Sequence, residues 1–267
     1  MPHTYECPLR WADLDLLGHV NNVTYLDYVA EAREALFAGL PAGRAPVSRY
    51  QVAFVKPLVL RRTPVLVDSW VTDVGADDLK LAHEVYDAPA DGDSARTVYL
   101  RASTVLTHRL TVEERAIAEQ VPGPAHEWRP LDHEERPAGG VYDLTVRRSD
   151  VDERDEARAG VFFEYFQEAR IRYLMDMHTR GERWSQHVVA RTDIDYLAPA
   201  YHRQQPYEVH SWVGHLGSRS FTIKSEVRDD DRALASATVV MVAFDMETQR
   251  TTDMTAPQRT RLEQELR

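Results

Sequence analysis

The stretch Arg10-Trp-Ala-Asp13-Leu-Asp15-Leu-Leu-Gly18-His19-Val20-Asn21-Asn22-Val-Thr-Tyr25 returns, altered, in the second half of the chain as a segment opening Arg147-Arg-Ser-Asp150-Val-Asp152. The offset between the two holds without a gap through Glu31-Ala32-Arg33 and Glu168-Ala169-Arg170. Across it, Arg10, Asp13, Asp15, Tyr28, Glu31, Ala32 and Arg33 are identical to their counterparts. After a short insertion in the second copy the match resumes. Pro57, Arg61, Pro64, Val67, Ser69, Trp70, Val71 and Gly75 meet Pro199, Arg203, Pro206, Val209, Ser211, Trp212, Val213 and Gly217. The chain is a duplication.

Length and composition agree with two modest cores. The chain has 267 residues, of which 43% are hydrophobic and 28% charged, too apolar for a disordered chain. Lys and Arg number 32 against 43 Asp and Glu, a net charge of −11 that would repel a phosphate backbone, so no nucleic-acid partner is expected. Cys7 is the single cysteine, which excludes an intrachain disulfide and fits a reducing cytoplasm. The first residues, Met-Pro-His-Thr-Tyr-Glu-Cys-Pro-Leu-Arg, lack the basic start and apolar stretch of a signal peptide. The longest apolar run, Val239 to Phe244, is far short of the roughly 18 residues of a membrane span. A soluble cytoplasmic protein is expected.

Three segments follow: an N-terminal domain over residues 1–119, a Pro-, Gly- and charge-rich linker over 120–140, and a C-terminal domain over 141–267. Both domains read alike. A short strand (Tyr5 to Trp11; Tyr142 to Arg148) enters an acidic loop, and a long helix follows, from near Asn22 to Leu40 and from near Gly160 to Met177. Tyr25, Tyr28, Val29, Ala32 and Leu36 fall at helical spacing and form one buried stripe, and Gly39 and Pro41 stop the first helix. Strand-like runs come next: 50–55, 65–74, 79–86 and 98–107 in the first copy, 192–197, 207–215, 221–227 and 233–244 in the second. One helix and about five antiparallel strands, twice, is an α+β architecture in which the helix buries its stripe across the sheet.

The spacing Asp-x-Asp-x-x-Gly-His-Val-Asn-Asn-x-x-Tyr in residues 13–25, with the helix continuing to Glu31-Ala32-Arg33, resembles the signature of the hotdog-fold thioesterases. That group contains 4-hydroxybenzoyl-CoA thioesterase, bacterial long-chain acyl-CoA thioesterases and plant acyl-ACP thioesterases. Met241-Val-Ala-Phe-Asp-Met-Glu-Thr-Gln-Arg250 looks like the family's closing strand and turn. Two copies in one chain resemble a tandem double hotdog, each half a long helix wrapped by its sheet. The resemblance implies hydrolysis of acyl-CoA or acyl-ACP with no cofactor beyond the coenzyme A of the substrate, and it allows a homodimer of double hotdogs. It places the catalytic carboxylate at Asp15 and the oxyanion amide at Asn22. The histidine of the plant enzymes matches His19, whereas their accompanying asparagine falls at Leu17 here.

The residues support this chemistry in their own right. Thioester hydrolysis needs a base or nucleophile and a place for the negative charge developing on the carbonyl oxygen. Asp15 precedes a helix start, where unpaired N–H groups and the helix dipole suit an oxyanion. Gly18 lets a ligand approach the backbone, and His19 and Asn22 could orient water or thioester. Tyr25 reads as a core residue and as a substrate contact. The same residues also have bland readings: Asp15 as a loop cap, Asn22 as an N-cap, His19 as a loop histidine satisfied by its neighbours. Arg61 and Arg203, matching positions at a strand start, are candidates for holding CoA phosphates or are solvated strand ends.

In the second copy Asp152 survives, but Gly18-His19 becomes Asp155-Glu156 and Asn21-Asn22 becomes Arg158-Ala159. The extra carboxylates would repel an anionic transition state. Only the second copy has Gly217-Ser218-Arg219-Ser220-Phe221, resembling a segment that many family members place near the partner's active loop. Gly217, Ser218 and Ser220 are therefore substrate-binding candidates, and a single working site is expected. No metal-ligand spacing, phosphate-binding Gly-rich loop or Ser-His-Asp set is evident. The alternative to an enzyme is a non-catalytic acyl-CoA-binding hotdog. A hydratase would need a His/Asp pair at another spacing, followed by Pro-Gly.

Overall fold

The computed structural model describes residues 1–15, 18–89, 95–130, 139–178, 184–248 and 250–266. They form two units, Met1–Arg129 and Pro130–Arg267. The first runs β1 (His3–Cys7), α1 (Thr24–Leu36), β2 (Val47–Phe54), β3 (Val65–Val74), β4 (Asp78–Asp87), β5 (Thr97–Thr107) and α2 (Val112–Gln120). Its sheet is antiparallel in the order β1-β3-β4-β5-β2. The second runs β6 (Gly140–Leu144), α3 (Val161–Met177), β7 (His187–Tyr196), β8 (Tyr207–Leu216), β9 (Ser220–Asp229), β10 (Arg232–Asp245), β11 (Arg250–Thr251) and α4 (Ala256–Glu265). Its order, β6-β8-β9-β10-β7 with β11 beside β10, repeats the first.

In each unit one apolar stripe of the helix and one face of the strands meet. Tyr25, Leu26, Tyr28, Val29, Ala32 and Leu36 of α1 are buried, as are Val65 and Val67 of β3 and Leu79, Leu81 and Val85 of β4. Each fully buried Leu or Val stabilises by about 1.5–3 kcal/mol, enough together to hold the helix on the sheet. The duplication extends to irregularities: the β3–β4 register slips between Val71 and Asp73, and the β8–β9 register at the matching place, between Val213 and His215. The repeated arginines are buried too. Arg33 and Arg170 are each 7% exposed, and Arg33 Nε donates to the Gly43 carbonyl at 2.9 Å.

The element ends differ from expectation for identifiable reasons. The first strand stops at Cys7, before Pro8, which has no N–H for the ladder. Helix α1 starts at Thr24 and ends at Leu36, because Ala38 (φ 49°) and Gly39 (φ 80°) turn the chain left-handed. Helices α2 and α4 were not anticipated, although Thr111 and Glu114 carry the capping signature: Glu114 N donates to Thr111 Oγ1 at 3.2 Å, and Thr111 N donates back to the Glu114 carboxylate at 2.8 Å. The start of the expected linker is no tether. Val71 N donates to Val121 O (2.8 Å), Gly123 N to Val71 O (2.9 Å), and Gln51 Nε2 to Arg129 O (2.8 Å). Residues 131–138 of that linker lie outside the described residues. Among the described residues no helix is long and apolar enough to cross a membrane.

Glu114 ties α2 to the exit of α1. Its fully buried carboxylate accepts Ala42 N at 2.7 Å and Thr111 N at 2.8 Å, and it pairs with His108 Nε2 at 2.9 Å. Burial alone pushes this carboxyl up, but the bonds from Thr111, His108 and Ala42 outweigh it and hold the pKa at about 2. Glu114→Gln should therefore lower stability at neutral pH by about 2 kcal/mol. A carboxyl whose pKa folding depresses stabilises above its unfolded value of 4.5 and loses that contribution as pH falls toward 2. Urea melts of both proteins at pH 7 and pH 3 should show the gap narrowing at the lower pH.

Candidate active site

The loop between β1 and α1 closes on itself through its own backbone. Asp15 N donates to His19 O at 2.8 Å, Gly18 N to Asp15 O at 3.1 Å, and Asn21 N to Asp13 O at 2.8 Å. The Asp15 carboxylate accepts His19 N at 3.1 Å. Gly18 sits at φ +75°, a conformation that costs glycine little, with open space where a Cβ would be. The closed loop is then clipped to the β2–β3 connection: Val20 N donates to Leu58 O at 2.8 Å, and His19 bridges Val59.

Asp15, Gly18, His19 and Asn22 thus lie on one loop. Asp15, His19 and Asn22 are half-buried, and Gly18 is exposed. Among the described residues the Asn22 amide donates to no acceptor and the His19 ring has no partner. Asn22 is not the N-cap: α1 is entered through Val23 without a side-chain cap, and Asn21 O accepts Thr24 N at 3.0 Å. The unclaimed Asn22 N–H therefore sits just outside the first helical turn, where the backbone dipole favours an anion. A carboxylate, an imidazole and a free amide can together handle a proton and a developing oxyanion.

Among the other candidates Tyr25 lies close to the loop, its hydroxyl reaching the Leu58 backbone and the field of Asp15. Tyr25 is 2% exposed and packs edge-on against Tyr28 and Phe54, with ring centroids 6.0 and 5.9 Å away. Arg61 forks onto both oxygens of Asp87 and also reaches Tyr99. Arg203 pairs with Asp229 at 2.8 Å, donates to Gln205 O and lies 3.7 Å above the Tyr207 ring. Each guanidinium ties the connection ahead of β3 or β8 to the last residue of a nearby strand, Asp87 of β4 or Asp229 of β9. Gly217, Ser218 and Ser220 form the β8–β9 turn, where Gly217 N donates to Ser220 O at 2.7 Å. The Cys7 thiol is buried and pushed up to about 11 by that burial, so it is no thiolate nucleophile at neutral pH. Among the described residues no group of three or more His, Cys, Asp or Glu is placed to hold a metal ion.

The second loop has the same shape and different chemistry. Asp152 N donates to Glu156 O (2.8 Å), Asp155 N to Asp152 O (3.1 Å), and Ala157 N to Ala200 O (2.8 Å). Asp155 takes the left-handed position of Gly18, at φ +61°. Arg154 folds back on Asp152, its guanidinium 3.3 and 3.2 Å from Oδ2 and its backbone N–H 2.8 Å from Oδ1. Burial pushes the Asp152 carboxyl up, but these bonds and that from Glu156 N hold it below the usual range. The position of Arg154 is Leu17 in the first loop, which cannot make such a pair. Sequence reading missed this clamp, although the arginine between Asp152 and Asp155 was its visible signal.

Comparison with known proteins bears on the family and the fold. The thioesterase-like superfamily matches residues 9–121 and again 146–262. Among solved structures, one described as an oleoyl thioesterase from Lactobacillus plantarum aligns over 92% of this chain and 97% of its own, with a TM-score of 0.72 at 12% identity. The 12:0-ACP thioesterase of Umbellularia californica aligns over 93% and 94%, with a TM-score of 0.70 at 12% identity. An acyl-ACP thioesterase from Bacteroides thetaiotaomicron gives 0.58 over 89% and 96%, at 13% identity. No curated protein is a significant match by sequence. At these identities the structures establish the hotdog fold alone, but the family match covers both units and most of the chain: the protein belongs to the thioesterase-like superfamily, as a tandem pair of hotdog domains.

Proposed function

We propose that the chain hydrolyses acyl thioesters, carried by coenzyme A or acyl carrier protein, at one site on the loop of residues 13–22. The observation that carries this reading is the unclaimed Asn22 N–H at the start of α1, on the same closed loop as the Asp15 carboxylate. Asp15 acts as general base on water or as nucleophile on the thioester carbon. The carbonyl oxygen gathers negative charge as the tetrahedral intermediate forms, and the Asn22 amide and the positive end of the helix receive it. His19 orients water or thioester beside them. With Asp15 as base, the C–S bond breaks, the thiolate takes up the proton that Asp15 removed from water, and acid and thiol leave. With Asp15 as nucleophile, C–S cleavage leaves an acyl-aspartyl anhydride, which water then hydrolyses to the acid, its proton going to the thiolate.

The second loop supports the claim of a single site. Asp152 is held by the guanidinium of its own loop, so removing a proton from water there would cost an ion pair. Asp15→Asn keeps an oxygen that can accept His19 N–H and so preserves the loop while removing the base. It should lower kcat/KM by roughly 1000-fold, whereas Asp152→Asn should stay within about twofold of wild type. Release of thiol from a panel of acyl-CoAs and acyl carrier protein thioesters, followed with a thiol reagent, checks both variants and identifies the carrier. Equal losses from the two substitutions would refute the single site.

Titration with a non-hydrolysable acyl thioether should saturate at a single equivalent per chain. Saturable binding with no turnover of any thioester in the panel would instead establish the non-catalytic alternative.

A further inference from the structure

We propose that Asp13 and Tyr28 are a positioning pair for the reaction, a role that rests on the reading of the first loop as the catalytic one. Asp13 is 9% exposed, and its carboxylate accepts the Tyr28 hydroxyl at 2.6 Å and Arg10 N at 2.7 Å. Its backbone carbonyl accepts Asn21 N at 2.8 Å. One residue therefore grips the helix through its side chain and the residue before Asn22 through its backbone. Asp15 lies two residues along on the same strand of the loop, which the Leu14–Val20 bridge closes.

Tyr28 stands one turn into α1, beyond the Thr24 start of the helix and the Asn22 amide. The bond from Tyr28 to Asp13 thus fixes how the base of the loop sits relative to the helix that presents the amide. Burial, and then the neighbouring Asp13, pushes the Tyr28 phenol above its ordinary value, so it remains the donor at any working pH. A transition state that requires carboxylate and amide in fixed relation is sensitive to this pin, because a misplacement of about 1 Å can cost roughly 100-fold in rate.

The duplication supplies an internal control. Tyr165 Oη donates to Asp150 Oδ2 at 2.9 Å, Arg147 N donates to the same oxygen at 2.8 Å, and Arg158 N donates to Asp150 O at 3.0 Å. This is the same pin, under a loop whose carboxylate Arg154 occupies. If the bond matters only for folding, its loss should have the same consequences in either unit.

The experiment compares Tyr28→Phe with Tyr165→Phe in the full chain, on whichever thioester turns over best. Phenylalanine keeps the ring and its packing and removes only the hydroxyl. Thermal melts should fall by similar amounts in the two variants, whereas kcat should fall about tenfold in Tyr28→Phe alone, with KM within about twofold of wild type. Asp13→Asn, which can still accept the hydroxyl, should recover most of the rate relative to Asp13→Ala. Wild-type kcat in Tyr28→Phe, or equal losses of kcat from the two tyrosine variants, would overturn the proposal. Full activity in Asp15→Asn would instead overturn the reading on which it rests.

Discussion

A carboxylate shared between a phenol and the backbone organises each half of this protein, buried at Asp13 and half-buried at Asp150. Asp13 is out of water, and a carboxylate there is tolerated only when its lone pairs are claimed. Tyr28 and Arg10 N claim one of its oxygens, and the Asp13 main chain holds Asn21. From this knot the loop projects with little freedom: a left-handed turn at its tip, an antiparallel bridge at its neck and a clip to the β2–β3 connection. The helix then starts where the knot places it.

The fold was legible because its signals are periodic and occur twice. The α1 stripe and the alternating strands gave the elements, and the shared offsets gave two copies of one body. What sequence reading missed is local. The end of β1 hinged on Pro8, and α1 stopped early because Ala38 joined Gly39 in the left-handed region. The α2 capping box stood in the open at Thr111 and Glu114 but followed a strand with no long apolar stripe to announce a helix. That Asp15, Gly18, His19 and Asn22 share one loop followed from their closeness in sequence. The fates of Arg61 and Arg203 could not be read that way, because Asp87 and Asp229 reach them from distant strands.

The two loops show how little sequence is needed to change a site without changing its shape. Backbone closure, positive φ and the tyrosine pin are the same in both, and backbone bonds do not depend on side chains. The electrostatics diverged instead. One arginine, placed where the first loop has a leucine, makes the second carboxylate half of an ion pair. Left-handed aspartate in place of glycine was accepted at modest cost, as expected for a residue whose short side chain tolerates that region.

The strip after α2 has a bearing on where the chain can be divided. Val121 and Gly123 extend the hydrogen bonding of β3, Pro122 bridges Val71 in parallel, and the Gly123 backbone lies so close on the Trp70 indole that no side chain fits there. Residues 121–123 are thus part of the first unit's wall and not a joint between the copies. The first repeat match ends at residue 121 and the folded unit at Arg129, so a cut at the repeat boundary would strip β3 of the backbone partner it has in Gly123.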